Sequence, residues 1–239
     1  MWRRSPRFAA GAAIVRGMFR ALLFFLALAC ACTAHAGSYR IGATSIELPA
    51  PPGFEDPTAD VPGLKRFGET ITPPSNRLLA MFLSSADAKT ARAGSGPEMR
   101  RYFLVQTYRQ AESKSIPVGE FAGLKKLLKN QFEALLAQAA SAAGDHLASV
   151  ERKLGERVRV GEMRAIEIFD EHDTAISMLA LTTYQVGGRE VPMAFATTTA
   201  VLGGKLVYMY AYSVNRGSAD LDWVRASARA WLRAARAAN

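Results

Sequence analysis

The second half of the chain alternates apolar and polar positions with period two, over runs separated by short polar or glycine joints. Four consecutive strands are predicted at 157–169, 174–184, 190–202 and 205–214. Their joints are 170–173, Gly187-Gly188 and Gly203-Gly204. A Gly-Gly pair between apolar runs predicts a tight hairpin, because both central positions of that turn need positive φ. Two such pairs make an antiparallel meander.

Period 3.6 governs two other segments. In 118–142 the residues Phe121, Leu124, Leu128, Phe132, Leu135 and Ala139 form one stripe, with Lys125, Lys126, Lys129 and Glu133 off it. Pro117 opens this helix and Gly144 closes it. A short helical turn over 145–154 follows. In 218–238 the stripe is Leu221, Val224, Ala228, Trp231, Leu232 and Ala235. Asp220 or Ser218 is placed to cap that helix. Its other side carries Arg225, Arg229, Arg233 and Arg236, which reads as a solvated face.

The first half is less regular. Residues 39–48 predict a strand or a short strand pair, and 77–84 and 101–110 predict two more strands. The stretch 85–98, rich in Ala, Ser and Gly, reads as a flexible connection. Seven of the eleven prolines fall between Pro49 and Pro74. No long helix or central strand fits there, because proline lacks the backbone donor and fixes φ. A loop of that length is functional or disordered, and Phe54, Val61, Leu64 and Phe67 would pin it to the body at intervals.

Several strands are apolar on both sides. Tyr208, Tyr210 and Tyr212 share one face of their strand with Leu206, while Val207, Met209 and Ala211 line the other. A sheet with one wet face would alternate more cleanly. The fold class is therefore α+β: a three-layer α/β/α sandwich, with a mostly antiparallel sheet of about six or seven strands covered by helices on both faces.

That order, together with Ile46-Glu-Leu-Pro-Ala-Pro-Pro-Gly-Phe54, Gly203-Gly-Lys-Leu-Val-Tyr208 and Asp220-Leu-Asp-Trp223, resembles the PsbP-like superfamily. The resemblance covers most of 39–238. It implies the same sandwich and a binding or assembly role, and it carries over no catalytic residues.

The N-terminus changes the compartment. Five arginines and no acid precede or flank the apolar run 21–29, and Ala34-His35-Ala36 follows. Small residues at −3 and −1 suit a signal peptidase, so 1–36 reads as a signal peptide cleaved before Gly37, with Met1 or Met18 as the start. The run is too short for the ~20 residues of a spanning helix. The expected location is periplasmic or secreted, with 37–239 as a single domain. Both cysteines, Cys30 and Cys32, lie in the leader. Residues 37–239 thus offer no disulfide, thiol nucleophile or Cys-ligated metal. Of the 30 Lys and Arg, five lie in the leader, and all 21 acids lie outside it, leaving +4. That is too little charge for a nucleic-acid binder, and it leaves peripheral contact with an anionic membrane open.

Candidate chemistry is sparse. No nucleophile elbow, P-loop or His-Glu-x-x-His is present. Asp170-Glu171-His172-Asp173 could ligate a cation but reads as a charged hairpin turn satisfied by water. The tyrosine row could wall an apolar pocket or serve as core beneath a helix. The sequence assigns no catalytic residue, metal or cofactor. It points to a non-enzymatic binding or accessory protein of the cell envelope that recognises a protein partner or small apolar ligand through Tyr208, Tyr210, Tyr212, Phe54 and Phe67. The alternative is a hydrolase or metal-dependent enzyme with dispersed site residues.

Overall fold

The computed structural model describes residues 36–154 and 158–239. The expected leader therefore lies outside the described residues, except for Ala36. Residues 36–239 form one compact unit.

Strands β1 (Ala36–Ile41) and β2 (Thr44–Pro49) form an antiparallel hairpin of their own, the strand pair expected over 39–48. The main sheet contains β3 (Phe54–Glu55), β4 (Asn76–Ser84), β5 (Arg101–Tyr108), β6 (Val158–Val160), β7 (Arg164–His172), β8 (Ala175–Val186), β9 (Arg189–Leu202) and β10 (Lys205–Val214). Its order is β3-β4-β5-β10-β9-β8, with β6 and β7 both pairing β8, and every pairing is antiparallel. Eight strands appear rather than six or seven. Two residues after Gly53 add β3, and the strand expected over 157–169 is two pieces interrupted at Gly161–Met163. The β8–β9–β10 meander turns at the two Gly-Gly pairs, with φ of 57° and 80° at Gly187 and Gly188 and of 55° and 77° at Gly203 and Gly204.

Helices cover both faces. Helix α5 (Ser218–Ala237) and the β1–β2 hairpin cover one face. Val224, Ala228, Trp231, Leu232 and Ala235 are buried there, nearly the whole predicted stripe. The Trp231 indole N–H donates to the Pro49 carbonyl at 2.8 Å. The Asn239 side-chain amide pairs with the backbone N–H and carbonyl of Glu47 at 3.0 and 2.8 Å, as a neighbouring strand would.

The opposite face carries α1 (Pro62–Ile71), α2 (Ser85–Arg92), α3 (Val118–Asn130) and α4 (Phe132–Leu154). Four expectations change here. The proline-rich segment contains α1, because Pro62 occupies the first turn, where its missing N–H has no helical partner to lose. Leu64, Phe67 and Ile71 then meet the sheet. The segment expected to be flexible begins with α2, whose Ser84 cap accepts the Asp87 N–H at 3.1 Å and donates to the Asp87 carboxylate at 2.8 Å. The helix expected over 118–142 is broken at Gln131, which adopts φ −125°. The restart turns the stripe, so Leu136 is buried in place of Leu135, and Ala139 is exposed. Gly144 does not end the second helix, which runs on to Leu154.

Candidate functional site

The predicted aromatic residues do not form one surface. Tyr212 stacks on Tyr102 with centroids 4.6 Å apart, and also on Phe195 at 5.6 Å and Tyr210 at 6.0 Å. Tyr210, Tyr212 and Phe67 of α1 pack against the same cluster, around Leu64, Met81 and Leu104. Tyr208, next along the strand, joins the separate cluster around Phe121 of α3. Phe54 lies on the other face, edge-on to Phe103 at 4.8 Å and near Trp223 at 6.1 Å. Burial pushes the Tyr208, Tyr210, Tyr212 and Tyr102 hydroxyls above their ordinary range and raises Tyr184 to about 12. The row is half-buried, each tyrosine packed against the edge of a core cluster.

The 170–173 cluster lies at the β7–β8 hairpin, as expected, with Asp173 in its turn, but protein cations as well as solvent meet it. Asp170, Glu171 and His172 are the last residues of β7. Glu171 bridges Lys125 at 3.4 Å and Lys129 at 2.8 Å, and Lys125 also donates to the His172 carbonyl at 2.7 Å. The cluster ties β7 to α3. Among the described residues, no group of three or more His, Cys, Asp or Glu side chains is placed to hold a metal ion.

The arginine stripe of α5 is likewise divided. Arg225 pairs with Glu167 and Asp222, and Arg229 donates to the Phe169 carbonyl, so these two bind β7. Arg233 and Arg236 are exposed.

An open cleft of about 730 Å³ lies where β5 begins and β10 ends, bounded by α2, the loop before β5 and the start of α5. Phe54, Asp87, Glu98, Arg101, Arg216 and Asp220 line it. Its best-held group is Arg101. One terminal N–H donates to the Asp220 carboxylate at 2.9 Å, Nε–H reaches the Ser213 hydroxyl at 3.4 Å, and the guanidinium lies 4.4 Å over the Trp223 ring. Of its five N–H donors, three remain for other partners, and the side chain keeps 41% of its exposure.

Asp220 also accepts the Arg216 backbone N–H at 2.9 Å. The Arg101 bond, and then that backbone bond, hold its carboxyl below the usual carboxylate range. Glu98 and Arg100 form an exposed pair at 2.7 Å, which is weak in solvent. The Asp87 carboxylate accepts the Glu98 N–H at 3.0 Å and the Ser84 hydroxyl, both neutral donors. Arg216 makes no ion pair among the described residues.

Two unusual backbone positions shape the walls. Met99, between Glu98 and Arg100, has φ 51°, a left-handed conformation that a side chain with Cβ adopts at a cost. Gly217, at the start of α5, has φ 154° and ψ −170°, a region essentially reserved for glycine. Neither Ser218 nor Asp220 caps this helix in the expected way: Gly217 is the N-cap, and Asp220 reaches back past it to Arg216.

None of the cleft arginines is marked by a motif in the sequence: Arg100 and Arg101 are adjacent at the start of β5, and Arg216 lies more than a hundred residues on, before α5. The one available signal was Asp220-Leu-Asp-Trp223, whose first and last residues both hold Arg101. No protein-family model matches this chain, and no curated protein shows significant similarity to it.

Proposed function

We propose that this chain is an exported, non-enzymatic binding or accessory protein of the cell envelope, and that it recognises its ligand or protein partner in the cleft rather than on the tyrosine row. The observation that carries this reading is the fixed Arg101. Its two bonds and its stacking on Trp223 immobilise the guanidinium in advance, which removes much of the entropy cost of using its free donors. Asp220, held ionised, can accept hydrogen bonds but cannot deliver a proton near neutral pH, which supports recognition over acid catalysis. The leader composition supports export. No helix among the described residues is long and apolar enough to cross a membrane. The succession of strands, helices, meander and final helix supports the PsbP-like resemblance.

The test is native mass spectrometry of protein recovered from a periplasm, as wild type and as Arg216→Glu. A stoichiometric adduct or partner present on wild type and lost from the variant is the expected result. A bare wild-type chain, or an adduct indifferent to the charge reversal, would sink the cleft reading. The denatured mass tests export: a start at Gly37 supports it, and a retained leader overturns it.

A further inference from the structure

We infer that the cleft takes a zwitterionic ligand, a short peptide with free termini, whose carboxylate lies against Arg216 and Arg101 and whose ammonium lies against Asp87. The inference rests on the binding role proposed above and names the ligand class of the same site.

The argument starts from how charge is divided between the walls. The α2 wall contributes Asp87 as its only charged lining residue. The opposite wall, from the end of β10 into α5, contributes Arg216 together with the Arg101–Asp220 pair, a net positive charge. Glu98 and Arg100, on the loop between, cancel one another. Among the described residues, after internal pairing, one uncompensated anion and one uncompensated cation remain on different walls. A polyanion would meet three carboxylates in the lining, and a polycation three guanidiniums. A wholly apolar ligand would strip water from the free Arg101 donors and replace none of their bonds, which costs free energy. A dipolar ligand satisfies both walls.

Its carboxylate matches the remaining fork of Arg101 and the unpaired Arg216, since guanidinium and carboxylate pair in a planar, two-pronged geometry. Phe54, Val214 and Ala86 give the floor an apolar part that suits a side chain between the two termini. The volume lies within the range of sites that enclose drug-sized molecules, roughly 300–1,000 Å³. That favours a peptide of a few residues over a lone ion.

The test titrates the isotope-labelled chain with Ala-Phe-Ala and follows backbone amide shifts. The same peptide with an acetylated N-terminus, the same with an amidated C-terminus, and glycerophosphoethanolamine form the other arms. Saturable shifts confined to residues 84–90, 98–101 and 213–220 are expected for the free peptide. Either blocking group should weaken binding by about tenfold or more, the range for losing a charge-assisted bond. Arg216→Gln should shrink the penalty of amidation, Arg101 holding what remains of it, and leave that of acetylation unchanged, whereas Asp87→Asn should shrink the penalty of acetylation alone. Arg216→Gln removes no side-chain hydrogen bond among the described residues, because Arg216 engages through its backbone. Asn at position 87 keeps one oxygen to accept the Glu98 N–H, and its amide can donate to the Ser84 hydroxyl in place of the bond it now accepts, so the unfolding midpoint of that variant is measured beside its binding. Equal binding of the blocked peptides, binding of glycerophosphoethanolamine alone, or no shift with any peptide would overturn the inference. If the peptides fail while the envelope adduct is still lost on Arg216→Glu, the binding role stands and only the ligand class falls.

Discussion

Lys205 and Glu112 hold the turn after β5 against the sheet: the Lys205 ammonium donates to the Glu112 carbonyl at 2.9 Å, while Arg77 grips the Glu112 carboxylate with two bonds of 2.9 Å. Lys205 also donates to the Lys114 carbonyl at 2.7 Å and is only 5% exposed. A cation so buried persists only because its protons are shared out to oxygen acceptors. Lys205→Met would fill the space and leave two carbonyls without their donor. A loss of about 2–3 kcal/mol is expected, from the cost of unsatisfied polar groups. Urea unfolding with an unchanged slope would measure it. A midpoint equal to wild type would show that water replaces the ammonium at no cost.

The Glu112 carboxyl predicts an acid dependence. Arg77 holds it below its ordinary 4.5. The unfolded chain therefore binds more protons than the folded one between the lowered value and 4.5. The stabilisation is complete above about 4.5 and is lost as pH falls through the folded value. Glu112→Gln should be less stable than wild type at neutral pH, and the gap should close on acidification. Unfolding midpoints taken from neutral pH down to about 3 would show it. A gap constant across that range would mean that the Arg77 pair contributes through shape rather than charge.

Most of the architecture could be read from periodicity, and the departures have local causes. The Gly-Gly turns and the α5 stripe are set by steric rules that act within a few residues, so sequence suffices for them. Pro62 misled because its effect depends on position: inside a helix it breaks, at the first turn it starts. Ser84-Ser85-Ala86-Asp87 carried a capping signal for α2 that the surrounding glycines and alanines obscured. The break at Gln131 had no sequence mark, because the stripe continues through it with little change. The cleft was the least legible part. Arg101 and Asp220 meet only because β10 pairs β5 in one register, placing Ser213 opposite Arg101. No local pattern encodes a contact across so many residues. The tyrosine row was visible in the sequence, but whether it lined a pocket depended on where α1 landed.

The packed tyrosines predict an alkaline dependence of the opposite sign. Burial raises Tyr184 from an ordinary 10.0 to about 12, and raises Tyr102, Tyr210 and Tyr212 as well. Between 10 and 12 the folded chain retains protons that the unfolded chain releases. Stability is therefore full below about 10 and falls as pH rises through that window. Phenolate absorbance followed alongside far-ultraviolet circular dichroism should show these tyrosines ionising together with loss of structure. If they ionise near 10 while the fold persists, the hydroxyls are better solvated than their packing implies.

The outer edge of β7 is guarded against pairing with another strand, and removing the guard should cause self-association. Its register slips twice against β8, between Ala165 and Glu167 and between Ile168 and Asp170, so two bulges interrupt the edge. Two carbonyls are also occupied from opposite faces: Arg229 of α5 donates to Phe169 and lies 5.1 Å over its ring, and Lys125 of α3 donates to His172. Free carbonyls and amides on an edge are a template for another chain, and cations and bulges are common protections. Arg229→Ala combined with Lys125→Ala would free both carbonyls while leaving the bulges. A stability loss of roughly 1–3 kcal/mol is expected from the lost bonds and the cation–π contact. Sedimentation velocity should show concentration-dependent association beyond that of wild type, and Arg229→Lys should reverse part of it by restoring a donor. If the double variant loses stability yet sediments as wild type at every concentration, the bulges alone protect the edge and the two cations serve only to fasten α3 and α5 to the sheet.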